Sequence, residues 1–326
     1  MSILYSSLAL VAGLIALIFA ADRFVGGAST LARGLGVQPA MVGLTIVDFG
    51  SAAPELLVAA IAALEGSPDL ALGNALGSNI TNLTGVLGVV AIASPLAIPR
   101  EILRRDLALL LAFIGLASVL MIDGALGRID GLILIACLFA YLYFSFAGSR
   151  GDKEKEASGT SIEPLDSDEP SEEREPTLKA ALVTALSFAV LLGGAHLLVY
   201  GASSIARAAG ISELIIGLTI LALGTSLPEL AASISAARSG EDGLAIGNLI
   251  GANIYNILAV LGVPAIIAGV EREAAFFGRD LPLVLGSIAL FASLALLSIA
   301  RGRRLGRAEG AILGAAYIGY LVFIGG

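Results

Sequence analysis

The 326 residues contain no tryptophan, a single cysteine, a single histidine and few charges. One cysteine excludes an intrachain disulfide, and Cys137, inside the run GLILIACLFA, reads as a lipid-facing or packed thiol. Charged residues make up 14% of the chain against 57% apolar, and mean hydropathy is +0.93. That balance excludes a water-soluble globular enzyme and points to a polytopic membrane protein. The opening stretch MSILYSSLALVAGLIALIFAA has no basic residue ahead of its apolar run and no good cleavage signal, so it reads as a retained first helix rather than a signal peptide. The net charge of −8 is local: residues 151–176 hold ten acids and three bases, a net of −7, and the remainder is almost neutral. This stretch, the one rich in Ser, Pro and acids, reads as a solvated connector, with a regulatory or ion-sensing role as the alternative.

What is present in abundance is repetition. GLTIVDFGSAAPEL (43–56) returns as GLTILALGTSLPEL (217–230), and the copies continue in register, 174 residues apart, through GNALGSNITN (73–82) and GNLIGANIYN (247–256). From 43 to 88, 22 of 46 positions equal those from 217 to 262. GGASTLARGLG (26–36) aligns with YGASSIARAAG (200–210) at the same offset, so the duplication covers at least the first three helices of each half. Apolar segments long enough to span fall near 3–21, 38–64, 70–97, 104–122 and 128–147, then 178–200, 212–238, 242–270, 277–299 and 308–325. Five spans per half force the second copy to insert upside down. The expected fold is an all-α membrane protein of ten transmembrane helices: a first five-helix repeat (1–147), an acidic linker (148–177) and a second, inverted repeat (178–326). With the linker in the cytoplasm, fifteen of the nineteen Lys and Arg lie on that side, in keeping with the positive-inside bias, and both termini lie outside. This is the arrangement expected of a prokaryotic cell membrane protein.

Each copy carries one glutamate, Glu55 or Glu229, in an apolar run. A carboxylate at membrane depth costs about 2.5–3.5 kcal/mol on insertion scales, and two of them on inverted repeats converge near the midplane. Together they neutralise one Ca²⁺, a hard cation that takes several oxygen ligands. Gly50 and Pro54, like Gly224 and Pro228, interrupt the helices, and a proline leaves an upstream carbonyl unpaired. Asp48, Ser51 and Glu55 share a face at i, i+3, i+7, as do Asn74, Ser78 and Asn82 at spacing four. The second copy offers Thr225, Ser226 and Glu229, then Asn248, Ala252 and Asn256. Each of these has a plainer explanation: a membrane Ser or Thr commonly bonds back to its own helix, Gly packs helices, and Asn bridges them. A purely structural pair of glutamates is disfavoured, since two acids with no basic partner repel. His196, at the position matching Asp22, is either structural or a proton-sensitive group.

On these residues the chain resembles the cation/calcium exchanger superfamily, in particular its sodium/calcium exchanger branch with two α-repeats. The carriers are the strings GSAAPEL and GTSLPEL with GNALGSNITN and GNLIGANIYN, and the resemblance spans essentially the whole chain. It implies that Glu55 and Glu229 bind Ca²⁺, helped by carbonyls near Ser51 and Thr225. It also implies that Ser51, Ser78, Asn82, Thr225, Ser226 and Asn256 line the Na⁺ and Ca²⁺ positions, and that the first and sixth helices slide as gates. Four departures stand out: Ala52 and Ala252 where the pattern has serine, Asp48 facing Ala222 in the repeat, and Asn256 where some relatives carry aspartate. The divalent ligands survive while the Na⁺ ligands are depleted.

The resulting expectation is a Ca²⁺/cation antiporter working by alternating access, exchanging Ca²⁺ for Na⁺, with H⁺ as the rival counter-ion. It is not an enzyme and needs no cofactor, nucleic acid or obligatory protein partner; its surroundings are membrane lipid. An intramembrane hydrolase predicts paired aspartates rather than duplicated glutamate motifs. A passive cation channel predicts rotational symmetry about a pore rather than an inverted repeat.

Overall fold

The structure, a computed structural model, describes residues 3–34, 52–157, 177–271 and 275–325. Asp48, Ser51 and most of the acidic linker lie outside the described residues. Helix dominates, as it must where apolar surroundings leave the backbone to satisfy its own hydrogen bonds. The helices are α1 (Ile3–Gly34), α2 (Ala53–Leu64), α3 (Pro68–Ala93), α4 (Leu107–Leu120), α5 (Arg128–Ala157), α6 (Thr177–Ala209), α7 (Glu213–Arg238), α8 (Asp242–Ile267), α9 (Phe276–Ala300) and α10 (Arg307–Gly325). Among the described residues seven of them, α3 and α5 to α10, are long and apolar enough to cross a membrane. Two-residue strands β1 (Ala125–Leu126) and β2 (Val270–Glu271) pair antiparallel.

The first helix, expected to end near residue 21, runs on to Gly34, and the sixth to Ala209. No proline interrupts either. At the end of the apolar stretch Arg23 folds back, donating to Phe19 O at 2.8 Å with its guanidinium 3.9 Å from the Phe19 ring centre. A snorkelling arginine of this kind lets a helix continue past its apolar part.

α1 and α6 pack antiparallel through small residues. Gly13 lies against Gly194 and Leu198, Gly27 against Val183 and Thr184, and Gly201 against Ser6 and Leu10. Without Cβ atoms the two backbones approach closely, which is how apolar helices associate where no hydrophobic force drives them together. The contacts come in matched pairs. Shifting each residue of the Gly27–Thr184 contact into the other half by 174 gives Gly201–Leu10, which is also present. Gly310 packs on Gly88 and Ile92; Gly131 packs on Gly262 and Ile266, their counterparts. The β1–β2 pair Leu126–Val270 is matched by an antiparallel bridge between Leu305 and Leu96. Widened π-helical turns match too: Thr81–Val86 with Asn256–Val260, and Ile102–Asp106 with Phe276–Asp280.

α3 is the most buried of the apolar spans. It crosses α7 at glycines: a Cβ on Gly77 would sit 2.5 Å from Leu218 O, and one on Gly217 2.5 Å from Leu70 O. This crossing sets Asn74 and Ser78 of α3 against the broken middle of α7. Cys137 is half-buried on α5 and packs against the apolar core, one of the two placements expected for it. His196 stands on the exposed side of α6, its Nδ1 at Glu65 Oε1 just past the end of α2.

Candidate ion-binding site

The site is built on α2 and on α7, whose helix is interrupted at Ser226. Ala52 (φ −83°, ψ −1°) and its counterpart Ser226 (φ −83°, ψ 4°) stand just ahead of the helical segments that carry the glutamates, with the same backbone. Pro54 and Pro228 follow in the first turn, where a missing N–H does no harm. The ladders beyond them start identically, Leu56 N donating to Ala52 O and Leu230 N to Ser226 O, both at 3.1 Å. Each short helix ends on a left-handed glycine, Gly66 (φ 76°) or Gly240 (φ 81°), a conformation that costs other residues a steric clash. Glu55 and Glu229 thus occupy equivalent positions, one turn into equivalent rods.

Both carboxylates are buried, Glu55 at 1% and Glu229 at 0% exposure, and they lie close enough to repel each other. Among the described residues no basic side chain pairs with either. Glu55 Oε2 and both oxygens of Glu229 have no hydrogen-bond partner among the described residues. Around them stand neutral oxygens. Thr225 lies beside the Glu55 carboxyl, and its Oγ1 is 3.2 Å from Asn74 Oδ1 and 3.1 Å from Leu221 O. Ser78 Oγ, Ser226 Oγ and Asn82 Oδ1 are buried without partners, as is Asn256 Nδ2.

The plain explanation for a membrane Ser or Thr, bonding back to its own helix, separates these residues from the rest. Thr30, Thr84, Ser118, Thr184, Thr219 and Ser298 each donate to the carbonyl four residues back, at 2.5–2.9 Å. Ser78 and Ser226 do not, and Thr225 divides its single proton between Leu221 O and Asn74. Of the expected site residues the structure buries Glu55, Glu229, Thr225, Ser226, Ser78, Asn82 and Asn256 on α2, α3, α7 and α8, and brings Glu55, Glu229 and Thr225 together. Asp48 and Ser51 fall outside the described residues. Asn248 departs from the face it was grouped with: its Nδ2 donates to Ser233 Oγ at 3.1 Å. Ala52 and Ala252 are buried here without a hydroxyl to offer.

Asn74, grouped with Ser78 and Asn82, meets Thr225, whereas the duplicated pair Asn79 and Asn253 went unassigned. The signal was present, since both copies read N-I-x-N, but the first Asn lies off the i, i+4 face used to choose ligands.

Two unpaired carboxylates buried together carry an effective penalty of several kcal/mol per ion. A divalent cation removes it, and carboxylates supported by neutral oxygens form a hard-cation donor set. Comparison with known proteins agrees with that chemistry. The family profile described as sodium/calcium exchanger protein matches residues 5–147 and 179–326. Over 320 residues the chain is 43% identical to the putative antiporter CaxA of Alkalimonas amylolytica, covering 97% of this chain and 98% of that one. It is 36% identical over 315 residues to the inner membrane protein YrbG of Escherichia coli (strain K12), covering 97% and 95%. It is 30% identical over 347 residues to the sodium/calcium exchanger MaX1 of Methanosarcina acetivorans, covering 97% of each. A solved structure of the sodium-calcium exchanger NCX_Mj superposes with TM-score 0.61 at 31% identity, covering 97% of this chain and 98% of that one.

Proposed function

Since the chain belongs to the sodium/calcium exchanger protein family, and is an integral membrane Ca²⁺/cation antiporter, we propose that its transport site is the buried cluster around Glu55 and Glu229. The carrying observation is that these two carboxylates, at equivalent positions of α2 and α7, are buried and, among the described residues, have three oxygens unpartnered and no base beside them. In this reading Ca²⁺ sits between the two glutamates. Ser51, Ser78, Asn82, Thr225, Ser226 and Asn256 supply neutral contacts to Ca²⁺ and Na⁺, and Asp48 adds a third acid.

Coupling follows from electrostatics. Empty, the dianionic site is costly at this depth, so reorientation is disfavoured until cations neutralise it. Ca²⁺ and the counter-ion compete for the same oxygens, and each crosses only by replacing the other. Na⁺ is the expected counter-ion. H⁺ is the second reading, favoured by the two alanines, Ala52 and Ala252, where hydroxyl ligands are missing.

The proposed architecture is ten helices in two inverted repeats, 1–147 and 178–326, joined by a cytoplasmic linker (148–177), with both termini outside. The matched contacts of α1 with α6, α3 with α10 and α5 with α8 support it, as does the positive-inside count. α1 and α6, held to each other through glycines and packed against α2 and α7, would slide as gates. The chain requires no protein partner in this scheme.

The test is radiolabelled Ca²⁺ uptake into proteoliposomes loaded with Na⁺, or carrying a pH gradient, in turn. Uptake driven by the Na⁺ gradient is the expected result. Uptake driven by pH alone transfers the coupling to protons, and uptake that needs neither gradient removes the antiport mechanism.

A further inference from the structure

We infer that Asn253 decides which end of the Asn82 amide faces the transported ion, and is thereby a positioning residue for transport. The inference rests on the assignment of Asn82 to the site. Asn79, Asn82 and Asn253 are each at most 1% exposed, so bulk water is not there to complete their hydrogen bonds.

The orientation is fixed from one end. The backbone carbonyl of Asn79 can only accept. It receives Asn253 Nδ2 at 3.2 Å, which commits the Asn253 amide to turn its NH₂ toward α3. Asn253 Oδ1 then points at Asn82, where only a donor can meet it, and Asn82 Nδ2 does so at 3.0 Å. The NH₂ of Asn82 is thereby used, and its Oδ1 is left on the other side, buried and unpartnered. An asparagine amide is nearly symmetric in shape, and its orientation is known only from its partners. Here the partners form a chain that begins at a carbonyl and admits one solution. Reversing Asn82 would set oxygen against oxygen at Asn253 and aim N–H groups at a cation.

The repeat does not supply the same device twice. Among the described residues, Asn79, the counterpart of Asn253, has both side-chain polar atoms without a partner, and the Nδ2 of Asn256, the counterpart of Asn82, is also unpartnered. Asn82 is thus a held oxygen donor while Asn256 is not held, and the two halves of the site present unequal ligands despite identical residues at these positions.

The test is a double-substitution cycle on the full chain in proteoliposomes, reading the KM for Ca²⁺ and for Na⁺. Asn253→Leu keeps the bulk and removes both hydrogen bonds. Loss of a residue that orients a metal ligand costs about 10- to 100-fold in affinity, and a rise of that size in KM for Ca²⁺ is expected. In the Asn82→Leu background, adding Asn253→Leu should change KM by less than about twofold, because the group it orients is gone. The same factor in both backgrounds, or an unchanged KM in the single variant, overturns the relay and leaves the site assignment standing. Wild-type KM values for both ions in Asn82→Leu alone remove Asn82 from the site and the inference with it. If Asn253→Leu does not elute as a folded species, Asn253→Ala with Asn82→Ala gives the same cycle. A purely structural role would lower thermal stability equally in both backgrounds and leave the ion KM values alone.

Discussion

Glu55 and Glu229 show how little a single residue type says without its partners. Glu309 is also a glutamate in an apolar helix, yet it accepts from Gly306 N at 3.0 Å at the exposed start of α10 and does the ordinary work of a helix cap. What sets the two site glutamates apart is legible in the sequence: the same Pro-Glu-Leu at the same place in both copies. The hydroxyls were less legible. Ser78 and Thr84 lie six residues apart on α3, and only the structure shows that Thr84 bonds to Ile80 O while Ser78 Oγ stays unpartnered. The amide relay from Asn79 through Asn253 to Asn82 was not legible at all, because it joins residues 171 and 174 apart whose meeting depends on tertiary packing. On the proposed site, Ala252→Ser is expected to supply a hydroxyl for Na⁺ at the position equivalent to Ser78 of the first copy. A hydrogen-bond-sized gain of about 1 kcal/mol corresponds to a roughly fivefold lower Na⁺ requirement for half-maximal Ca²⁺ exchange. An unchanged Na⁺ dependence would place Ala252 away from the Na⁺ path.

Among the elements, the positions of the helices followed from hydropathy, but their ends and irregularities did not. α1 and α6 outrun their apolar stretches because no proline stops them, and on α1 Arg23 snorkels back along the helix. The π-helical turns at Thr81–Val86 and Asn256–Val260 leave no mark in propensity, although they carry Asn82 and Asn256. Such turns recur at functional sites. Glycines divide sharply by environment. A Cβ on Gly77 would meet Leu218 O at 2.5 Å across the α3–α7 crossing, whereas one on Gly115 of α4 would meet nothing within 4 Å. Gly77→Ala is therefore expected to destabilise by about 1–3 kcal/mol through overpacking and to impair exchange, because it prises α3 from α7 beside the site. Gly115→Ala should be neutral or stabilise by about 0.5–1 kcal/mol. Thermal unfolding followed by size-exclusion chromatography checks both, and equal melting temperatures would contradict the close approach. The His196–Glu65 contact joins α6 to the end of α2 on the exposed side, with 63% of the histidine side chain and 30% of the glutamate accessible. A pair that wet contributes at most about 1 kcal/mol, so His196→Ala should leave the melting temperature nearly unchanged, and a drop of many degrees would show a larger structural role.

For the whole molecule, the duplication did more than name a site. It anticipated matched contacts between the halves, and the structure supplies them in glycine packing, in paired strand bridges and in paired π-helical turns. What it could not anticipate is where the halves differ: Ser226 against Ala52, Ser78 against Ala252, and the one-sided amide relay. On the proposed site, those differences would set ion preference, while the shared glutamates would hold the divalent cation. The acidic linker lies outside both matched stretches of the family profile. Replacing it with a short flexible connector is expected to leave turnover largely intact, and total loss of transport in a correctly inserted variant would assign the linker a part in the mechanism. The central claim, that transported Ca²⁺ is held between two buried carboxylates, is tested most directly by Na⁺-driven radiolabelled Ca²⁺ uptake in Glu55→Gln and Glu229→Gln. Each substitution keeps the shape and removes one charge of the pair. The account expects both variants to fold, insert and fail to transport Ca²⁺; exchange at the wild-type rate by either one would contradict it.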